Sequence, residues 1–421
     1  MTTPNRARGL RTGTAARDKA SRRATAGGRG AADRVRRSHA QTRTTLRFAL
    51  AFIAAAALAI PLGGTRWLAL HLFLAGGAML AISGVSLMLT VTWSAAPAPP
   101  GRWVVVQRAL ITAGAAGVAL AREGGLPAAI VGVAGSVYLA GLLALAWLLV
   151  ATIRRGVERR FDVAVASYLT AIAAGVAGVV LGAVMAAGTP TPAMRAAHVT
   201  TNALGLVGLV IAGTMPFFAA TVGRSRMAPR ARPRTLAVTL CWMGSGLAVA
   251  VVAMAVDAGA VAAVGLGGYA VGIGGVLWLL PRPTLRQLRW AGPRVLALWA
   301  GGCWWAIAVA GTAVDAAHAD RLLFGDRWLL VLVLGGYAQI LWGSLSYLMP
   351  MLRGGGPERL SAGFASTRSW LGLAAANAAA VSVALSLPGE ATAVAVTVWV
   401  LDSAWRAGRV GTVRAGRPTE E

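Results

Sequence analysis

"RAAHVTTNALGLVGLVIAGTMPFFAATVGRSR", residues 195–226, opens on an arginine, closes on two more, and runs apolar between them for about one bilayer thickness. About 20 apolar residues in a helix cross the hydrocarbon core, and flanking arginines mark the headgroup layers. His198, Thr201 and Asn202 depart from this plain pattern: by helical spacing they share one face in the first turns. The fold class depends on whether such a run stands alone.

It does not. Runs of crossing length also occupy 47–64, 68–93, 103–121, 127–153, 163–187, 235–256, 259–280, 295–314, 327–351, 369–388 and 391–406. With 196–222 they predict an all-α, polytopic bundle of about twelve transmembrane helices. Composition agrees, because 57% of the 421 residues are hydrophobic and 13% are charged, against about 25% charged in soluble domains. Glycine and alanine fill the runs, which suits close helix approach in lipid. No repeat relates the two halves. The chain divides into a basic disordered tail (1–46), the twelve-helix domain (47–406) and a second tail (407–421).

The net charge of +26 raises nucleic acid as a partner. The arginines, however, sit in the tails and in short connections, where anionic lipid headgroups meet them, so nucleic acid is excluded. With the N-terminus cytoplasmic, the inner connections hold "RRGVERR" (154–160), "RSRMAPRARPR" (224–234), "PRPTLRQLRWAGPR" (281–294) and the last tail with Arg406, Arg409, Arg414 and Arg417. The outer ones hold Arg66, Arg122, Arg195, Arg321 and Arg327, offset by Asp257, Asp315, Asp320, Asp326 and Glu390. This asymmetry predicts a multi-pass protein of the bacterial inner (plasma) membrane with both termini cytoplasmic. Residues 1–46 lack the apolar core of a secretory signal. Cys241 and Cys303, the two cysteines, have no CxxC spacing and predict neither a disulfide framework nor a zinc site.

The sixth run starts on the outer side, and so do the second and tenth. That places His71, in "LALHLFLAGGAML", about one turn into the second crossing, level with His198, while His318 lies in the connection before the tenth. Met185, Met194 and Met254 fall near the same level. Taken singly, each histidine is an ordinary interfacial residue and each methionine a packing residue. Taken together, His71 and His198 are candidate cofactor-binding residues, with His318 and Met194 as further candidate metal ligands. Deeper polar residues are few. Gln339, Gly343 and Ser346 form a stripe on the tenth run, with Tyr347 adjacent, and Asn377 stands in the eleventh; these predict interhelical hydrogen bonds. Asp402 and Arg406 make an i,i+4 pair. No charged residue stands near mid-depth, which counts against a proton-coupled carrier.

Twelve crossings with a histidine near the outer end of the second and another opening the sixth resemble subunit I of the haem–copper oxidase and nitric oxide reductase superfamily. The segments "HLFLAGGAMLAISGVSLMLTVTWSAAPAPP" and "GGYAQILWGSLSYLMPMLRGGGPERL" are also similar to membrane segments of actinobacterial proteins, some joined to copper nitrite reductase or multicopper oxidase domains. The resemblance covers the chain from about residue 47. It implies that His71 matches an axial ligand of a low-spin haem and His198 a ligand of the active-site metal. The family's paired histidines in helices seven and ten have no counterpart in "TLAVTLCWMGSGLAVAVVAMAVDAG" or "WLLVLVLGGYAQILWGSLSYLMPML". Complete oxygen or nitric oxide reduction is therefore not expected. The expectation is a degenerate member binding haem or copper on its outer side, in respiratory or nitrogen-oxide metabolism, with electron transfer to a copper-containing redox protein on that side. The alternatives are a transporter of a small neutral solute and an assembly subunit with no cofactor.

Overall fold

A computed structural model describes residues 7–318 and 326–412, with side chains described from residue 32. Asp320 and Arg321 of one expected outer connection, and Arg414 and Arg417 of the last tail, lie outside the described residues. The structure is all-α, a bundle of long helices: α1 (Ala7–Ala59), α2 (Arg66–Trp93), α3 (Gly101–Glu123), α4 (Ala128–Ile153), α5 (Asp162–Ala187), α6 (Pro192–Val222), α7 (Pro233–Ala255), α8 (Gly259–Leu279), α9 (Pro293–His318), α10 (Asp326–Arg353), α11 (Trp370–Ala384) and α12 (Gly389–Thr412). Two short helices, Leu285–Ala291 and Gly356–Ser366, precede α9 and α11.

Among the described residues ten helices, α1 to α10, are long and apolar enough to cross a membrane. That is fewer than the expected twelve, and the last hairpin accounts for the difference. With 15 residues, α11 reaches only about 22 Å at 1.5 Å per residue, against a core of about 30 Å. The other arm, α12, is long enough but contains Glu390, Asp402, Arg406 and Arg409. The boundary expected at residue 46 also moves. The segment read as a disordered tail is helical from Ala7, and α1 is already packed at Ser38, Thr42 and Thr45, which are at most 3% exposed. Thr42 donates to Ser38 O (2.9 Å) and Thr45 to Gln41 O (3.1 Å), so their hydroxyls are satisfied on their own helix.

Every fourth helix carries the same irregularity. A π-helical segment interrupts α2 at Leu72–Ala78, α6 at Thr201–Gly208 and α10 at Val331–Ala338, with starts 129 and 130 residues apart. At those same spacings Gly76, Gly205 and Gly335 fall in register, and so do Gly84, Gly213 and Gly343. Each glycine admits the helix before it. A Cβ on Gly76 would lie 2.1 Å from Phe52 of α1, on Gly205 2.6 Å from Ala174 of α5, and on Gly335 2.8 Å from Trp304 of α9. The deeper set repeats this against Thr45, Ser167 and Ala297. The bundle is thus three copies of a four-helix unit, where the sequence had shown no repeat between halves.

π geometry shifts each amide to a carbonyl five residues back and frees carbonyls that lipid cannot satisfy. Tyrosines from the fourth helix of a unit fill the gap. Tyr138 of α4 donates to Ala75 O (3.1 Å), and Tyr269 of α8 donates to Leu204 O (2.6 Å), each one residue before the packing glycine. Tyr337 of α10 adds a bond to Ala203 O at 2.8 Å. In the third unit Trp399, also buried, stands 130 residues after Tyr269. α2, α6 and α10 are the most buried of the ten spans.

Candidate metal site at the head of α2 and α6

The two candidate histidines stand just ahead of π segments. Thr65 caps α2 by accepting from Leu68 N–H (3.1 Å), while its own N–H and hydroxyl donate to Glu123 at 2.9 and 2.7 Å. Thr191 caps α6 by accepting from Met194 N–H (3.1 Å), with Pro192 in the first turn, where its missing donor costs nothing. These caps fix the height at which His71 and His198 enter the bundle.

The structure brings the two rings together. Their centroids are 6.5 Å apart and their planes differ by 14°. Trp67 stacks on His71, with centroids 3.9 Å apart and planes at 25°. Both residues are half-buried.

Each imidazole is held by the same nitrogen. His71 Nδ1 lies 2.9 Å from Trp67 O, and His198 Nδ1 lies 2.8 Å from Gly178 O on α5. A carbonyl oxygen only accepts, so in both rings Nδ1 carries the hydrogen and Nε2 the lone pair. No protein hydrogen bond reaches either Nε2 among the described residues. A backbone carbonyl on the far nitrogen is the usual outer-shell arrangement of a metal-binding histidine.

Small residues on α5 make the seat of His198. A Cβ on Gly182 would lie 3.0 Å from His198 Cε1, and one on Gly178 would lie 2.2 Å from Asn202 Nδ2. Asn202 donates to His198 O at 2.9 Å. Its polarity in the opening turn of an apolar span thereby serves the helix that carries the histidine. Ion pairs tie the same end together: Arg66 to Asp326 at 2.9 Å and Arg327 to Asp315 at 3.9 Å.

The other two expected ligands are placed differently. His318 is exposed at the end of α9, its Nδ1 2.8 Å from Val314 O of its own last turn. No group of three His, Cys, Asp or Glu side chains able to hold a metal forms among the described residues, so His318 does not complete the pair. Its helix continues to the surface instead of folding inward. Met194 precedes His198 by one turn and is half-buried. Met254 is engaged elsewhere, its sulfur accepting from Thr200 Oγ1 at 3.3 Å. The expected polar stripe is present, with Asn377 donating to Gln339 Oε1 at 3.1 Å and accepting from Trp304 at 2.8 Å.

Farther along the same helices than the pair, a cavity of ≈ 100 Å³ runs between α2, α6 and α10, lined by Phe73, Ile211, Phe218, Tyr337 and Leu348 among others. The spacing of the histidines revealed their common level. The cavity and the π segments around it had no local signal, because tertiary packing creates both. Compared with known proteins, the chain matches no family model and no curated protein.

Proposed function

We propose that this integral membrane helical protein binds one copper ion between His71 and His198 and uses it in electron transfer or copper handling on the histidine side of the membrane. The observation that carries the reading is the 6.5 Å separation of two imidazoles whose Nε2 atoms are both free. Two imidazoles this close could hold one ion between them through their Nε2 atoms, at metal–nitrogen distances of about 2.0 Å.

The donor set favours copper. Two neutral nitrogens satisfy Cu(I), a d¹⁰ ion content with two collinear donors, whereas structural zinc takes four ligands. Met194, one turn away, is a soft group of the kind that supports the same choice. Haem is the weaker alternative, since the adjoining cavity of ≈ 100 Å³ is far below the about 300 Å³ at which small-molecule pockets begin. When bound, the ion would supply one-electron exchange. The residues orient it: Trp67 O and Gly178 O set the tautomers, and Trp67 walls one ring.

By the arginine asymmetry the histidine side is the outer side of a bacterial plasma membrane, where the fitting partner is a copper-containing redox protein. A place in respiratory or nitrogen-oxide metabolism belongs to this reading through the resemblance described above. The test is metal analysis of full-length protein purified in detergent after copper supplementation. One copper per chain, lost in His71→Ala and in His198→Ala, is the expected result; copper retained in both variants, or absent from the parent, refutes the reading.

A second reading draws on the three-unit architecture. Irregular helices at matching positions around an apolar cavity also suit a conduit for a small neutral solute. Swelling of proteoliposomes in glycerol gradients, abolished by Ala81→Phe in the cavity wall while copper stays bound, would favour it.

A further inference from the structure

The end of the bundle opposite the histidines holds three arginines that converge on one tryptophan. α6 ends at Val222, and Arg224 follows with φ 48°, a left-handed conformation rare for a side-chain-bearing residue. Its guanidinium lies over the Trp290 ring, 3.9 Å from the centroid. Arg294, at the start of α9, approaches the same ring at 5.1 Å and Phe364 at 4.7 Å. Arg368, ahead of α11, donates to Trp290 O. Tyr347 stacks on Phe364 with centroids 5.3 Å apart and closes the group toward the bundle axis.

Arg294 is only 2% exposed. Its Nε donates to Ala291 O (3.2 Å) and one terminal nitrogen to Trp290 O (3.4 Å), but the other terminal nitrogen is buried with no partner. Nε of Arg368 is likewise buried and unpartnered. The ion pairs formed among the described residues involve other arginines, and no carboxylate pairs with Arg224, Arg294 or Arg368. A buried cation here also sits at the positive end of the α9 dipole, beside two more cations. Aromatic faces and carbonyls offset part of that cost, and the free N–H groups still call for an anion.

We propose that Arg224, Arg294 and Arg368 form a binding site for one phosphate oxyanion, the group whose geometry the guanidinium fork matches. The site lies where helices meet the membrane surface, so the phosphate comes either from an anionic phospholipid headgroup or from free phosphate. It is independent of the histidine pair.

The experiment is native mass spectrometry and thermal unfolding of delipidated full-length protein with phosphatidylglycerol, phosphatidylcholine or inorganic phosphate. Arg224→Gln and Arg368→Gln are the principal variants, because neither removes the most buried side chain. Arg294→Gln is added where it folds, and Arg230→Gln, at the same end, is the control. Retention of about one phosphatidylglycerol per chain over phosphatidylcholine, weakened about tenfold or more in both principal variants and not in the control, supports a lipid site. Stabilisation by inorganic phosphate, with the same loss in the variants, supports a free-phosphate site. Equal binding of the two lipids with no phosphate effect, or variants that bind as the parent does, overturns the proposal.

Discussion

The imidazole of His71 faces that of His198 across 6.5 Å, and the two rings come from helices whose sequence positions are a full four-helix unit apart. One ring is held by its own helix and the other by a neighbour. Trp67, one turn before His71, fixes one, and Gly178, on the neighbouring α5, fixes the other.

On the proposal that the pair shares one ion, His71→Ala and His198→Ala should each weaken copper binding by about 100-fold or more, as loss of an outer-shell partner alone costs about 10- to 100-fold. The double variant should bind no worse than either single one, since the second loss has nothing left to remove. Competition against a chromogenic copper chelator measures all three. Additive losses would mean two separate sites.

Gly178→Ala should act at a distance of one residue layer. Its Cβ would lie 2.2 Å from Asn202 Nδ2, so the Asn202 amide must swing away and its bond to His198 O is disturbed beside the carbonyl that holds the ring. Copper affinity should fall about 10- to 100-fold while the protein still folds. Gly182→Ala, with 3.0 Å to His198 Cε1, should have a smaller effect of the same sign. The chelator assay and a thermal melt together separate loss of site from loss of fold.

Tyr138→Phe and Tyr269→Phe each remove a hydroxyl that fills a π-segment carbonyl, Ala75 O and Leu204 O. A buried acceptor left without a donor costs about 1–3 kcal/mol, so both variants should melt earlier in detergent. Melts unchanged in both would mean that water or another donor satisfies those carbonyls.

Two ion pairs of equal length should differ sharply in importance. Arg66–Asp326 has side chains 37% and 84% exposed, and Asp326→Ala should cost about 1 kcal/mol or less. Arg406–Asp402 has 22% and 8%, so Arg406→Ala strands a buried carboxylate and should cost about 3 kcal/mol or more. Equilibrium unfolding in mixed micelles ranks them, and equal losses would contradict the burial argument.

The long apolar runs were legible because hydropathy is a local property: the run expected at 163–187 is α5, Asp162–Ala187, and that at 259–280 is α8, Gly259–Leu279. The start of α1 was not, because Thr42 and Thr45 look polar until their hydroxyls are seen folded back onto the helix. The short α11 and charged α12 looked like two more spans, since a boundary error of a few residues decides whether each can cross. The level of His71 and His198 followed from counting crossings, but the hold on His198 depends on Gly178, a residue on another helix. His318 was a candidate only by level in the chain, and its place depends on where α9 ends. The three-unit repeat escaped notice because its identities are confined to glycines such as Gly76, Gly205 and Gly335 and to the aromatic series Tyr138, Tyr269 and Trp399. It becomes visible once those glycines are found against equivalent neighbours.

X-ray absorption at the copper edge on the copper-loaded protein tests the central claim most directly. A first shell of nitrogen donors at about 2.0 Å, with the multiple-scattering pattern of two imidazoles that disappears in the double histidine variant, is the result expected. A copper site with one imidazole or none, or a spectrum unchanged in that variant, would contradict it.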